Sequence, residues 1–175
     1  MITHYSGGPS ITGPPQASPA ADRGNAAPAR AAAAVARHEF PGVERSVRDV
    51  RGFVEETLRV PPGGRTPASA AAKELIETAL LLVSEVATNA IRHTRSGEAG
   101  GTVVVEVRRC SGGIRIEVRD QGVRHDGPVC EPAVRASTPD TEYGRGMALV
   151  EMLAADWGTC AVNGGRTVWF DLPST

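Results

Sequence analysis

The sequence predicts an α+β domain, a two-layer sandwich with helices packed on one face of a mixed, mostly antiparallel sheet. Two observations carry that prediction. The segments from Val43 to Leu58 and from about Pro67 or Ala68 to His93 space apolar residues at three and four, the period of an amphipathic helix. Two paired segments, Thr102–Arg108 with Ile114–Asp120 and Thr159–Val162 with Thr167–Leu172, read as strands joined by short glycine-containing turns, the pattern of β-hairpins. Helices and hairpins of this kind bury their apolar sides by stacking as layers.

Residues 1 to about 30 are dominated by Gly, Pro, Ser and Ala with almost no large apolar side chain. They cannot bury enough surface to offset the entropy of ordering, so a disordered tail is expected before a domain spanning 31–175. An extended segment from Val35 to Phe40 is stopped by Pro41-Gly42. Val43, Val47, Val50, Val54 and Leu58 then form a helical stripe, ended by Pro61-Pro62-Gly63-Gly64. The next helix carries a stripe of Ile76, Ala79, Leu80, Val83, Ala87 and Ala90. Leu81 and Leu82 make its opposite side apolar as well, which predicts a helix buried between layers, with Glu85, Asn89 and Arg92 facing a cavity.

After a turn from Ser96-Gly97 to Gly101, Val103, Val105 and Val107 alternate with Val104 and Glu106. Ser111-Gly112-Gly113 turns the chain into a strand in which Ile114, Ile116 and Val118 alternate with Arg115, Glu117 and Arg119. Gln121 to Tyr143 has no period, and a loop of that length inside a compact domain is expected to be a functional lid or partly disordered. Gly144-Arg145-Gly146 introduces a helix from Met147 to Ala155. Asp156-Trp157-Gly158 leads into the last hairpin, which turns at Asn163-Gly164-Gly165. Trp157 and Trp169 are expected in the core.

The composition excludes several function classes. The 175 residues suffice for one domain with a real core, and a net charge of −1 gives no electrostatic reason to expect nucleic acid or an acidic membrane as partner. No apolar run approaches the roughly 20 residues that span a bilayer. The N-terminus lacks the basic-then-apolar order of a secretory signal, so a cytoplasmic location is expected. Cys110, Cys130 and Cys160 are widely spaced and outside any Cys-x-x-Cys pattern, which points to free thiols. Lys73 is the only lysine and no Gly-rich loop precedes it, so neither a phosphate-binding loop nor a conventional protein-kinase core is present.

Four short features carry chemistry. Glu85 and Asn89 are four apart on a helix, hence on one face and one turn from each other. A carboxamide oxygen is a hard ligand suited to magnesium, and a carboxylate beside it can orient or deprotonate a hydroxyl. Asp120 ends a strand just before Gly122, where an acceptor-only carboxylate would select a donor such as the exocyclic amine of adenine, and the glycine would let a ring approach the backbone. Gly144 and Gly146 free a turn whose amides, with the positive end of the following helix and the charge of Arg145, suit a phosphate. Thr167 stands in the last strand.

In this order the features resemble the histidine-kinase-like (Bergerat, or GHKL) ATPases, and among them the small anti-sigma-factor serine kinases of bacteria and their actinobacterial relatives. The resemblance covers roughly residues 30 to 175. The helix motif Glu-x-x-x-Asn-Ala-x-x-His is matched by Glu85, Asn89, Ala90 and His93. The first glycine box, Asp-x-Gly-x-Gly, is matched by Asp120 and Gly122 but has Arg124 in place of its second glycine. Gly144, Gly146 and Met147 match the second box, with Met for the usual Leu, and Gly165 to Phe170 resembles the last. The resemblance implies that ATP and Mg²⁺ are the cofactors, that Asn89 coordinates the metal, and that Glu85 is the general base toward a serine hydroxyl. It implies that Asp120 binds the adenine amine with Thr167 beside the ring. It further implies a STAS-domain antagonist as phosphoacceptor, a sigma factor as second partner, and a homodimer formed through the sheet. A partner-binding module without turnover and a simple ATPase stand as alternatives.

Overall fold

The computed structural model describes residues 33–60, 69–110, 112–124 and 145–173. The expected disordered tail, the Pro61–Gly64 helix stop, Ser111, Cys130, Gly144, and the expected lid from residue 125 onward with His125 lie outside them.

Five strands form one sheet: β1 (Ala33–Pro41), β2 (Thr102–Cys110), β3 (Gly113–Asp120), β4 (Asp156–Val162) and β5 (Gly165–Pro173). Their order is β1-β2-β3-β5-β4, and all four pairings are antiparallel, so no parallel pair gives the sheet a mixed character among the described residues. Helices α1 (Ser46–Arg59), α2 (Ala70–His93) and α3 (Arg145–Leu153) supply the second layer. Val103, Val105 and Val107 of β2, Ile114, Ile116 and Val118 of β3, and Val168, Phe170 and Leu172 of β5 are buried with the apolar stripes of the helices in one core.

The helix starts differ from the sequence expectation for local reasons. Val43 to Arg45 form tight turns, with the amides of Ser46 and Val47 donating to the carbonyls of Val43 and Glu44, and α1 begins only at Ser46. The buried stripe is therefore Ser46, Val50, Val54 and Leu58, while Val43 is exposed. Ser69 caps α2, its hydroxyl accepting from the Ala72 amide at 3.2 Å, so the helix starts at Ala70 rather than at Pro67 or Ala68. Leu82 is fully buried but Leu81 is 40% exposed, so α2 is a one-sided helix and not one buried between layers. Arg51 of α1 ties the two long helices together through the Leu80 carbonyl (3.0 Å) and the Ser84 hydroxyl (2.7 Å).

The last hairpin is longer than its hydrophobic pattern suggests. Asp156, Trp157 and Gly158 pair with Asp171, Phe170 and Trp169, so β4 begins three residues before Thr159. Gly158 permits this because the Trp169 ring lies against it: a Cβ there would stand 2.8 Å from the indole. Asn163 and Gly164, at φ 48° and 77°, form the two-residue turn between Val162 and Gly165 that an Asn-Gly pair favours. Trp157 packs against the core, but Trp169 belongs to the sheet face away from the helices. Its ring there carries the Arg115 guanidinium at 4.0 Å. Arg115 is in turn held by both oxygens of Asp171 at 2.7 Å. Cys110 and Cys160 are free thiols.

Candidate functional site

Glu85 and Asn89 project from successive turns of α2, both half-buried, between the core residues Leu82, Val86 and Ala90. The first turn of α3 rests directly on them. A Cβ at Gly146 would stand 2.6 Å from Glu85 Oε2, 3.1 Å from Glu85 Cβ and 3.4 Å from Asn89 Nδ2. The glycine is thus needed for close helix packing, and it sets the start of α3, whose first-turn amides have no partner within the helix, beside the carboxylate and the carboxamide. Arg145 opens α3, although only its backbone falls among the described residues. Met147 is 5% exposed and its side chain fills the core, so its contribution to a phosphate turn is through its backbone.

Asp120 closes β3 and is buried. Its Oδ1 accepts from the amides of Gly122 at 2.6 Å and Arg166 at 3.2 Å. Burial pushes its carboxyl above the usual carboxylate range, against the opposing pull of the Gly122 amide, the Arg166 charge and the Arg166 amide. The ionised form is therefore less favoured in the fold than in the unfolded chain. Folding loses stability as the pH rises from the ordinary carboxylate value through the raised one, and none of that penalty remains below both. Asp120→Asn keeps an oxygen for the two amides and removes the charge. The expected outcome is a variant whose melting temperature gains on the parent as pH is raised from about 4 to 7; parallel pH-melting curves would contradict it.

Gly122 does not leave room for a ring where its Cβ would be. It sits at φ 83°, and the space is taken by the Gly164 carbonyl oxygen, 2.3 Å from the ideal Cβ position. Thr167 is buried, but it pairs with Arg119 and alternates with the core residues Val168, Phe170 and Leu172, so its side chain belongs to the sheet face opposite the helices. The β5 residue in register with Asp120 is Arg166. The structure therefore gathers Glu85 and Asn89 of α2 against Gly146 of α3 and puts Asp120, Gly122 and Arg166 at the adjoining sheet end. Thr167 stands apart from both.

A family model described as the histidine kinase-like ATPase domain matches residues 40–172, which takes in every described helix and strand except the start of β1 and the last residue of β5. The chain belongs to this family. No curated protein matches it. The antiparallel five-stranded sheet under three helices is the histidine kinase-like ATPase fold, and ATP binding in a regulatory setting, with phosphotransfer or ATP hydrolysis as its chemistry, comes with that membership.

Within this histidine kinase-like ATPase domain, Arg124 has a definite role that its place in the glycine box does not announce. Its Nε donates to the Thr94 carbonyl at 2.9 Å and a terminal nitrogen to the Ile91 carbonyl at 3.4 Å, so the guanidinium caps the negative end of α2. Val123 bridges to Thr94, the Arg95 amide donates to the Gly122 carbonyl, and the Arg95 guanidinium donates to the Gln121 carbonyl at 3.0 and 2.7 Å. The chain after Asp120 is thereby strapped to the end of α2. His93, the last residue of α2, has its pKa lowered by burial and then by the charges of Arg124 and Arg92. No cluster of three or more His, Cys, Asp or Glu occurs among the described residues. The donor set at Glu85 and Asn89 accordingly suits a magnesium ion that keeps water and phosphate oxygens as most of its ligands. No helix among the described residues is long and apolar enough to cross a membrane.

Proposed function

We propose that this domain is an ATP- and Mg²⁺-dependent anti-sigma regulatory kinase. It transfers phosphate to a serine of a small STAS-domain antagonist and also sequesters a sigma factor. The observation that carries the reading is the seating of Gly146 on both Glu85 and Asn89, which brings a carboxylate, a carboxamide and the start of a helix within one contact. Asn89 offers its carboxamide oxygen to the metal. Glu85 takes the proton of the attacking hydroxyl, and the amides of Arg145, Gly146 and Met147, with Gly144 before them, hold the transferring phosphate. Mg²⁺, when bound, neutralises charge on the phosphates. Asp120 accepts from the adenine amine, and Arg166, rather than the side chain of Thr167, is the β5 residue beside it.

Thermal shift with Mg-ATP tests the binding step: millimolar nucleotide should raise the melting temperature, and no shift would sink this reading. Phosphate appearing on a serine of a purified antagonist, rather than only in solution, separates a kinase from a simple ATPase. Asn89→Ala should leave ATP binding indifferent to Mg²⁺, which titration calorimetry with and without chelator reads directly; an affinity that still falls on chelation would remove Asn89 from the metal. Two observations favour a second reading, a partner-binding module without turnover. Arg124 occupies the second glycine position of the first box, and Arg166 stands beside Asp120.

A further inference from the structure

We propose that Arg124 is a positioning residue for nucleotide recognition: by holding the segment after Asp120 on the end of α2, it keeps Asp120 set for the amine of an adenine ring. The proposal rests on the ATP-binding reading above. An arginine at the second glycine position of the box would obstruct a ring if its side chain were free to lie in front of Asp120. The guanidinium is instead spent on α2, donating to the carbonyls of Thr94 and Ile91. Gly97 leaves the space for it, since a Cβ there would stand 2.9 Å from a terminal nitrogen of Arg124.

The end of α2 has use for that partner. Its last carbonyls have none within the helix, and its C-cap is Thr94 in an extended conformation, not a glycine that would fold the chain back over them. The Thr94 hydroxyl covers the Ala90 carbonyl, and Arg124 takes that of Ile91, one residue on. These arginine bonds join residues 30 and 33 positions apart, so they hold the segment as much as they cap the helix.

The segment in turn holds Asp120. The Gly122 amide donates to Asp120 Oδ1 at 2.6 Å, the Gly122 carbonyl accepts from the Arg95 amide at 2.9 Å, and the Gln121 amide donates to the Ser96 hydroxyl at 2.9 Å. Those bonds fix the start of the segment, while Arg124 and the bridge from Val123 to Thr94 fix its end. Asn89 lies on the same helix, five residues before Thr94. One short segment thus sets the carboxylate proposed for the base against the helix proposed for the metal. A segment ordered in advance need not be ordered by the ligand, and ordering one residue is worth about tenfold in an equilibrium.

The test compares the full chain with Arg124→Ala and with Arg124→Gly, which restores the glycine of the box. Calorimetric titration with Mg-ATP and with Mg-inosine triphosphate, which has a carbonyl in place of the adenine amine, is paired with amide hydrogen exchange of the nucleotide-free proteins. Both variants are expected to bind ATP about tenfold more weakly, to lose part of the preference for ATP over the inosine nucleotide, and to exchange the Gly122 and Arg95 amides faster. Arg124→Lys keeps a charge and a donor at the helix end and should recover part of the affinity. A general loosening of the fold would weaken both nucleotides alike, so an unchanged preference overturns the proposal. Parental or tighter ATP binding by Arg124→Gly overturns it as well, and so does unchanged exchange at Gly122 and Arg95. A parent that binds neither nucleotide sinks the ATP-binding reading and this role with it, whereas variants that bind ATP as the parent does sink this role alone.

Discussion

Gly122→Ala is expected to destabilise the domain by about 3 kcal/mol or more and to remove nucleotide-dependent stabilisation at the same time. Two costs add at this position. A side chain at φ 83° costs roughly 1–2 kcal/mol through the clash of Cβ with its own backbone. The new methyl also meets the Gly164 carbonyl oxygen at 2.3 Å, and that atom is main chain in a tight hairpin turn, unable to swing aside as the end of a long side chain would. Relief requires the Asp120–Arg124 strap or the Asn163–Gly164 turn to move. Either movement disturbs the amides of Gly122 and Arg166 that hold Asp120, and the Arg95 bonds to Gln121 and Gly164. A loss of this size is a large fraction of a typical domain's total stability. Chemical denaturation measures it, and a change under 1 kcal/mol would mean that the turn yields freely. Gly164→Ala is the useful contrast, since no atom lies within 4 Å of its ideal Cβ and only its φ of 77° is penalised.

The sheet is legible in the sequence because its periods are clean. Val103, Val105 and Val107, then Ile114, Ile116 and Val118, fall at alternate positions and each set is buried as the alternation requires, although Val104 is apolar and Arg115 buried on the other face. The i, i+4 spacing of Glu85 and Asn89 likewise suffices to put them on one face. What stayed hidden depends on tertiary contacts. Gly158 reads as a turn residue, yet it pairs with Trp169 in β4, where the indole ring lies against it. Thr167 resembles a family residue by its type, but the β3–β5 register decides which side chain stands by Asp120, and a shift of one residue exchanges the two faces of a strand. Arg124 reads as a lost glycine. Its capping of α2 joins residues about thirty positions apart, and no local signal encodes that. Gly146 looks like punctuation before a helix, whereas its contact with Glu85 and Asn89 arises from the packing of α3 on α2.

That packing makes Glu85→Gln the sharper test of chemistry, and it is expected to lower phosphoryl transfer by about 10²–10⁴-fold while leaving ATP affinity unchanged or slightly tighter. Glutamine has the length and shape of glutamate, so it fits the same slot against Gly146, and the seating of α3 is preserved. Alanine would open that slot, and Gly146→Ala would press a methyl to 2.6 Å from the carboxylate; either change mixes geometry with chemistry. The isosteric change removes two things only. One is the capacity to take a proton from a hydroxyl, which is lost entirely. The other is a negative charge near the start of α3, whose interaction with the helix dipole is about 0.3–1 kcal/mol. Phosphate oxygens would compete for that same positive end, so removing the charge lessens repulsion of ATP and argues against weaker binding. Single-turnover transfer measured beside calorimetric ATP binding separates the two effects. A variant that transfers phosphate at the parental rate would show that Glu85 only supports the helix contact. A variant that loses binding and transfer together would place Glu85 in the nucleotide pocket and leave the base unassigned.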